Sequence, residues 1–189
     1  MSFICQCRAF FSIRYIGYVL YRVLYAKDLL CIWYTAVLLV MYIRVCIYSM
    51  HLQSIKISTD IHEKLNESKS KFIFKRISSA FKEQQLQSEL IQQHYKDCKY
   101  PKIVCGDMNN SAFSYVYRNI KVDMNDAFEQ AGNGFGASYN FKFYPARIDY
   151  IFVENIILVK EFKTDDSVQL SDHFPVFTRL NMQPKAKSN

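Results

Sequence analysis

Three aspartates, two histidines and Asn109 are the candidates for chemistry in four short motifs of this sequence. In chain order these are Met50-His51-Leu52-Gln53-Ser54, Gly106-Asp107-Met108-Asn109-Asn110, Arg147-Ile148-Asp149-Tyr150-Ile151 and Ser171-Asp172-His173-Phe174-Pro175-Val176. Hydrolysis of a phosphate ester needs an activated water, neutralised charge on the phosphoryl oxygens and a proton for the leaving oxygen. Asp107 and Asp172 are hard oxygen ligands suited to Mg²⁺ or Mn²⁺, which bind few carboxylates and keep several waters. Asn109 is a neutral amide able to donate to a phosphoryl oxygen without adding negative charge. His173 suits proton transfer with water or, once charged, a hydrogen bond to the phosphate. A carboxylate such as Asp149 would fix its tautomer and raise its basicity. His51 suits a contact to the phosphate or service to the leaving group. Each motif alone has an ordinary structural explanation, such as a Gly-Asp turn or a polar turn before a strand. Their conjunction and order argue for a site.

The elements that must position these residues read as alternating strands and helices. Val40 to Met50 is dominated by β-branched and aromatic residues and reads as a strand with His51 directly after it. Lys56 to Ser70 is polar and reads as a loop. Lys71 to Tyr95 lacks Gly and Pro and reads as one long helix. Phe74, Ile77 and Phe81 form its apolar face, and glutamines and charges fill the other. No chemistry is assigned to it. Pro101 breaks the chain, Lys102 to Cys105 reads as a short buried strand, and Gly106 ends it. Asn110 or Ser111 caps a helix running through about Asn119. Arg147 to Val153, Ile156 to Phe162 and Phe174 to Leu180 complete the strands. Polar clusters at strand ends are where α/β folds build sites.

In order and wording, the four motifs resemble the endonuclease/exonuclease/phosphatase family, the fold of pancreatic deoxyribonuclease, abasic-site endonucleases and bacterial sphingomyelinases. The resemblance covers residues 42–182, with Met108 where Phe is common in the family. It implies an α/β fold, a partial four-layer sandwich of the deoxyribonuclease-I type over 42–182, with a tail over 183–189. It also implies roles. Asp107 and Asn109 would position the attacking water and the scissile phosphate. His173 would contact the phosphate and move protons, with Asp149 as its partner. Asp172, with Asp107, would be a metal-side carboxylate for Mg²⁺ or Mn²⁺, and His51 the second active-site histidine.

The family pattern also includes an early strand carrying an Asn and another ending in Gln-Glu, whose Glu is the principal metal ligand. Here the first Asn is Asn66 and the first Glu is Glu63, both after His51. The expectation is therefore an N-terminally truncated or altered member with a weakened metal site. Two functional outcomes stay open. One is metal-dependent hydrolysis of a phosphodiester or phosphomonoester. The other is an inactive fragment or pseudoenzyme that binds without turnover, membrane-attached in one version.

Charge narrows the substrate only a little. The net charge is +7, but residues 1–59 carry six Lys/Arg against Asp28 alone, leaving a balance of +2 for the rest. The basic excess thus belongs to the N-terminal segment, which weakens a nucleic-acid reading. Nucleic acid, a phospholipid head group and a small phosphate ester all remain candidate substrates, and no protein partner is expected. Residues 1–41 are apolar and basic and are expected to be helical. The uncharged run Leu29 to Ile43, extended past Arg44 to Tyr48, reaches the length of a bilayer span of about 20 residues. A membrane helix, a buried strand over Val40 to Tyr48 and an artefactual start compete for this region. Cys5, Cys7, Cys31, Cys46, Cys98 and Cys105 show no zinc-type spacing and are read as reduced, mostly buried thiols.

Overall fold

Short β-branched and aromatic runs assemble into one large sheet. The computed structural model of the chain describes residues 19–25, 32–40, 43–55, 67–141, 144–168 and 170–182. Strands β1 (Val19–Tyr25), β2 (Ile32–Val40), β3 (Ile43–His51), β4 (Lys102–Asp107), β5 (Asn125–Asp126) and β6 (Asp149–Val153) form a sheet in the order β1-β2-β3-β4-β6-β5. β3 and β4 are parallel, and the other neighbours are antiparallel. A parallel pair requires a crossover, and helix α1 (Glu67–Tyr95) lies in that connection. Strands β7 (Ile157–Thr164) and β8 (Val176–Met182) form a separate antiparallel pair.

Alternation along the strands builds two cores. Cys46, Tyr48 and Met50 of β3, Val104 of β4, and Tyr150 and Phe152 of β6 pack with Ile91 and Tyr95 of α1. Val116, Tyr117 and Ile120 of helix α2 (Tyr115–Lys121) join the same cluster. The intervening residues Val45, Ile47, Ile103, Cys105, Ile151 and Val153 meet Ile157 and Phe162 of β7 on the opposite face. Ala127 of helix α3 (Ala127–Ala131) closes that side. Helix, sheet and sheet therefore stack as the expected α/β sandwich requires.

Several sequence-based expectations change. The N-terminal segment, where described, is strand rather than helix: β1 and β2 form an antiparallel hairpin that extends the sheet beyond β3. Its β-branched and aromatic content suits that pairing. Residues 1–18 lie outside the described residues, as do most of the expected loop 56–70 and the tail 183–189. Among the described residues no helix is long and apolar enough to cross a membrane. The long helix is present, but Phe74 and Phe81 of its expected core face are exposed. Its buried face carries Ala80, Gln84, Gln87, Ser88, Ile91 and Tyr95. The α2 helix starts later than expected, capped by Ser114, whose side chain accepts from the Tyr117 N–H. The cysteine reading is corrected too. Cys46 on β3 and Cys98 after α1, 52 residues apart in sequence, have Cα atoms 6.6 Å apart and form a disulfide. Cys105 remains a buried thiol whose Sγ lies 3.5 Å from the Tyr48 carbonyl oxygen.

Gly106 does not end β4; the strand continues through it to Asp107. The glycine has φ +145°, and a Cβ there would overlap the Met50 carbonyl of β3. Only glycine lets the two strands approach at this point. Gly106→Ala should therefore lower the unfolding free energy by about 2–3 kcal/mol, measured as a reduced urea midpoint. An unchanged midpoint would contradict this packing.

Candidate active site

Three of the six candidate residues occupy one lateral row of the sheet. His51 is the parallel partner of Asp107, and Asp107 is the antiparallel partner of Asp149. Side chains in one row of adjacent strands share a face. By alternation this is the face of Cys105 and Ile151, which looks toward β7 and β8. The spacing of the motifs along the chain is thus converted into adjacency by strand register.

Asp107 is the buried centre of the row, 5% exposed. The chain turns just after it, and Asn109 takes a left-handed backbone at φ 48°, a conformation asparagine tolerates. This turn brings the Asn109 N–H to 2.7 Å from Asp107 Oδ1 and Asn109 Nδ2 to 3.0 Å from Oδ2. Nδ2 also donates to the Leu52 carbonyl at 3.0 Å. Both amide protons are therefore engaged, and a phosphoryl oxygen would have to displace one of these partners. His51 Nε2 lies 3.5 Å and His173 Nε2 3.7 Å from Asp107 Oδ2. Burial and the nearby Asp149 charge push the Asp107 carboxyl up to about 7, against the pull of His173 and the Asn109 N–H.

His173 reaches the row from the segment before β8. Two backbone hydrogen bonds stitch this segment to the chain before β6, and a third ties that chain to itself. The Phe174 N–H donates to the Ser138 carbonyl, the Asn140 N–H to the Asp172 carbonyl, and the Ser138 N–H to the Ala146 carbonyl. The fully buried Ser138 hydroxyl accepts from the N–H groups of Ile148 and Asp149. The result is a 2.8 Å hydrogen bond between His173 Nδ1 and Asp149 Oδ2. Burial disfavours the imidazolium, yet the Asp149 hydrogen bond and charge, with Asp107 and Asp172 behind them, raise His173 to about 9. At neutral pH His173 is thus charged, with Nδ1–H directed at Asp149 and Nε2–H toward Asp107.

Asp172, expected on the metal side, is exposed, and its charge is felt at Tyr139, Asp107 and His173. Among the described residues the group able to hold a metal ion is Asp107, Asp149 and His173, with ligand atoms within 4.8 Å of one another. Two carboxylates, one of them buried and raised by its neighbours' charge, form a donor set whose mutual repulsion a divalent cation would relieve. Hard oxygen donors fit Mg²⁺ or Mn²⁺.

Sequence reasoning missed Ser138 and Tyr139. Tyr139 stands edge-on to His173 with ring centroids 5.0 Å apart. Neither residue lies in a recognisable motif, so their roles emerge only once 138–140 pairs with 172–174. It also missed the support beneath Arg147 of the third motif. Arg147 Nη1 pairs at 2.6 Å with the fully buried Asp126, which also accepts from the Tyr117 hydroxyl and the Phe128 N–H. The Arg147 guanidinium packs over the rings of Phe128 and Tyr150 at 4.4 and 4.7 Å.

Comparison with curated proteins gives no significant match. Solved structures do match. A mannosyl-6-phosphatase of Bacteroides thetaiotaomicron shares 20% identity with a TM-score of 0.51, over 83% of this chain and 60% of that one. D. rerio TDP2 complexed with single strand DNA product shares 15% identity with a TM-score of 0.58, over 88% and 68%. The human Nocturnin catalytic domain with bound sulfate anion shares 18% identity with a TM-score of 0.53, over 89% and 60%. At these identities the likeness is one of fold, and the chain spans about 60% of the phosphatase's length. A sequence-family model matches residues 68–173, more than half of the chain, and takes in the second and third motifs and the Ser171-Asp172-His173 of the fourth. By that match, this chain belongs to the endonuclease/exonuclease/phosphatase family.

Proposed function

We propose that this chain is a phosphoesterase dependent on Mg²⁺ or Mn²⁺. The observation that carries the reading is the His173–Asp149 hydrogen bond set against the buried Asp107 carboxyl at the ends of β4 and β6. A divalent cation held by Asp107 with Asp149 or Asp172 would offset phosphoryl charge and acidify a bound water.

The protein groups supply the rest. The charged His173 donates a hydrogen bond to a phosphoryl oxygen, while Asp149 holds its ring and stabilises the imidazolium. His51, with its side chain 46% exposed, is open to substrate and serves the phosphate or the leaving oxygen. Asn109 keeps Asp107 oriented and exchanges one of its amide contacts for the phosphate on binding. The near-neutral balance of residues 60–189 does not favour a long cationic track for a polynucleotide. The substrate class is therefore a phosphate ester, as for the mannosyl-6-phosphatase, with no requirement for an extended nucleic acid. A second reading, phosphate binding without turnover, draws on the absence of a Glu from the metal-capable group among the described residues.

The test is hydrolysis of bis(p-nitrophenyl) phosphate and p-nitrophenyl phosphate with Mg²⁺ or Mn²⁺. His173→Ala should lower kcat by roughly 10²–10⁴, and Asp107→Asn should abolish the metal dependence. Activity that survives His173→Ala would overturn the site assignment, and metal-dependent binding without any hydrolysis would favour the second reading.

Stability should carry a matching pH signature. Asp107 titrates at about 7 in the fold against 3.8 ordinarily, and His173 at about 9 against 6.5. The folded chain therefore holds extra protons between each pair of values, and stability is lost as pH rises through them. In EDTA the thermal midpoint should fall from about pH 4 to about pH 9, and Asp107→Asn should flatten the portion below 7. Adding Mg²⁺ or Mn²⁺ at pH 8 should raise the midpoint of the unmodified chain. A pH profile unaltered by Asp107→Asn would show that Asp107 is not the buried proton holder.

A further inference from the structure

The buried polar face of α1 converges on the two strand ends that carry His51 and Asp107. Gln84 is fully buried. Its Nε2 donates to the Gln53 carbonyl at 2.7 Å and to the Asn109 carbonyl at 3.2 Å, and its Oε1 accepts from Asn110 Nδ2 at 2.8 Å. One turn along, Gln87 Oε1 accepts from the Gln53 N–H at 2.9 Å. The Gln53 backbone, two residues past His51, is thus held from α1 at both its N–H and its carbonyl. Asn109 is tied to the same place from the other side, through its Nδ2 bond to the Leu52 carbonyl.

We propose that Gln84 is a positioning residue of the active site: by bridging the loops after β3 and β4 it holds Asn109 in the conformation that orients Asp107. The proposal rests on the phosphoesterase reading for its kinetic consequence, but its structural part stands without it. The physical reason is the cost of an unmet carbonyl. Asn109 has a left-handed backbone, and its carbonyl accepts from Gln84 of α1. Gln84 is a long neutral side chain that meets three partners on two loops without adding charge beside an already crowded carboxylate cluster. An apolar side chain of the same length fills the space but leaves the Gln53 and Asn109 carbonyls without this donor, each at a desolvation cost. Asn109 is then free to relax, and the orientation of Asp107 relaxes with it.

The experiment compares Gln84→Met with Ser88→Ala. Ser88 is equally buried on the same helix but bonds only Asn119 of α2 and the Gln85 carbonyl. In Gln84→Met, amide hydrogen exchange at Leu52 and Asn109 should accelerate on the order of tenfold or more. These N–H groups donate to the Asp107 carbonyl and carboxylate. Ser88→Ala should leave both rates unchanged. With Mg²⁺ and bis(p-nitrophenyl) phosphate, Gln84→Met should lower kcat roughly 10- to 100-fold with little change in KM, while Ser88→Ala retains kcat. Gln84→Asn, too short to span both loops, should behave like Gln84→Met.

Unchanged exchange at Leu52 and Asn109 in Gln84→Met overturns the proposal, as does an equal loss of kcat in Ser88→Ala. Accelerated exchange in a chain with no measurable hydrolysis retains Gln84 as the holder of Asp107 and rejects the phosphoesterase reading instead. If neither Gln84 variant folds, the unmodified chain decides. Leu52 and Asn109 should then exchange with the same opening free energy as the 84–88 turn of α1, and faster independent exchange refutes the coupling.

Discussion

The site depends on strand register. His51, Asp107 and Asp149 are neighbours because β3, β4 and β6 place them in one row, with β4 between a parallel and an antiparallel partner. A shift of one residue in either pairing would send a row member to the opposite face, into the apolar core under α1. Gly106 helps hold that register. The close approach of β4 to the Met50 carbonyl excludes any side chain there, so the residue before the central carboxylate has to be glycine. The Gly-Asp of the motif joins a packing requirement to a chemical one.

Around that row the fold concentrates negative charge and then manages it. Asp107 is buried among Asp149, Asp172 and two histidines, and its carboxyl is raised toward neutrality. His173 is raised as well, despite burial, because it faces three carboxylates. Each group shifts in the direction that lessens the unpaired charge, as expected where water is scarce and like charges lie close. The same electrostatics explain why the residues around the cluster are neutral hydrogen-bonding groups. Asn109, Gln84 and Ser138 orient backbone and carboxylate by hydrogen bonding without altering the charge balance.

Helix α1 shows where sequence patterning misleads. A long helix without Gly or Pro is easily read, but its apolar stripe of Phe74, Ile77 and Phe81 suggested the wrong inward face. The face that packs is marked by Gln84, Gln87 and Ser88 together with Ile91 and Tyr95. Hydrophobic periodicity assumes that polar residues seek water. Here Gln84 and Gln87 meet backbone groups at the two strand ends, where an apolar face would leave carbonyls and N–H groups unmet. The disulfide was hidden for a related reason. Cys46 and Cys98 lie far apart in sequence and meet only after α1 has run back along β3.

What the sequence determined by itself was the set of reactive residues, their order, and the α/β alternation that carries them. These are local properties: a β-branched run makes a strand, and Gly-Asp-Met-Asn and Ser-Asp-His-Phe-Pro-Val keep their wording wherever they fold. The tertiary structure decided which of those residues touch. It paired His173 with Asp149 rather than leaving it beside its neighbour Asp172, through hydrogen bonds between 138–140 and 172–174 that no motif announces. It also made the N-terminal segment, where described, a hairpin added to the sheet, because a β-branched run beside an open strand finds its backbone partners there. Non-local hydrogen bonds made both choices, and the linear order of residues does not contain them.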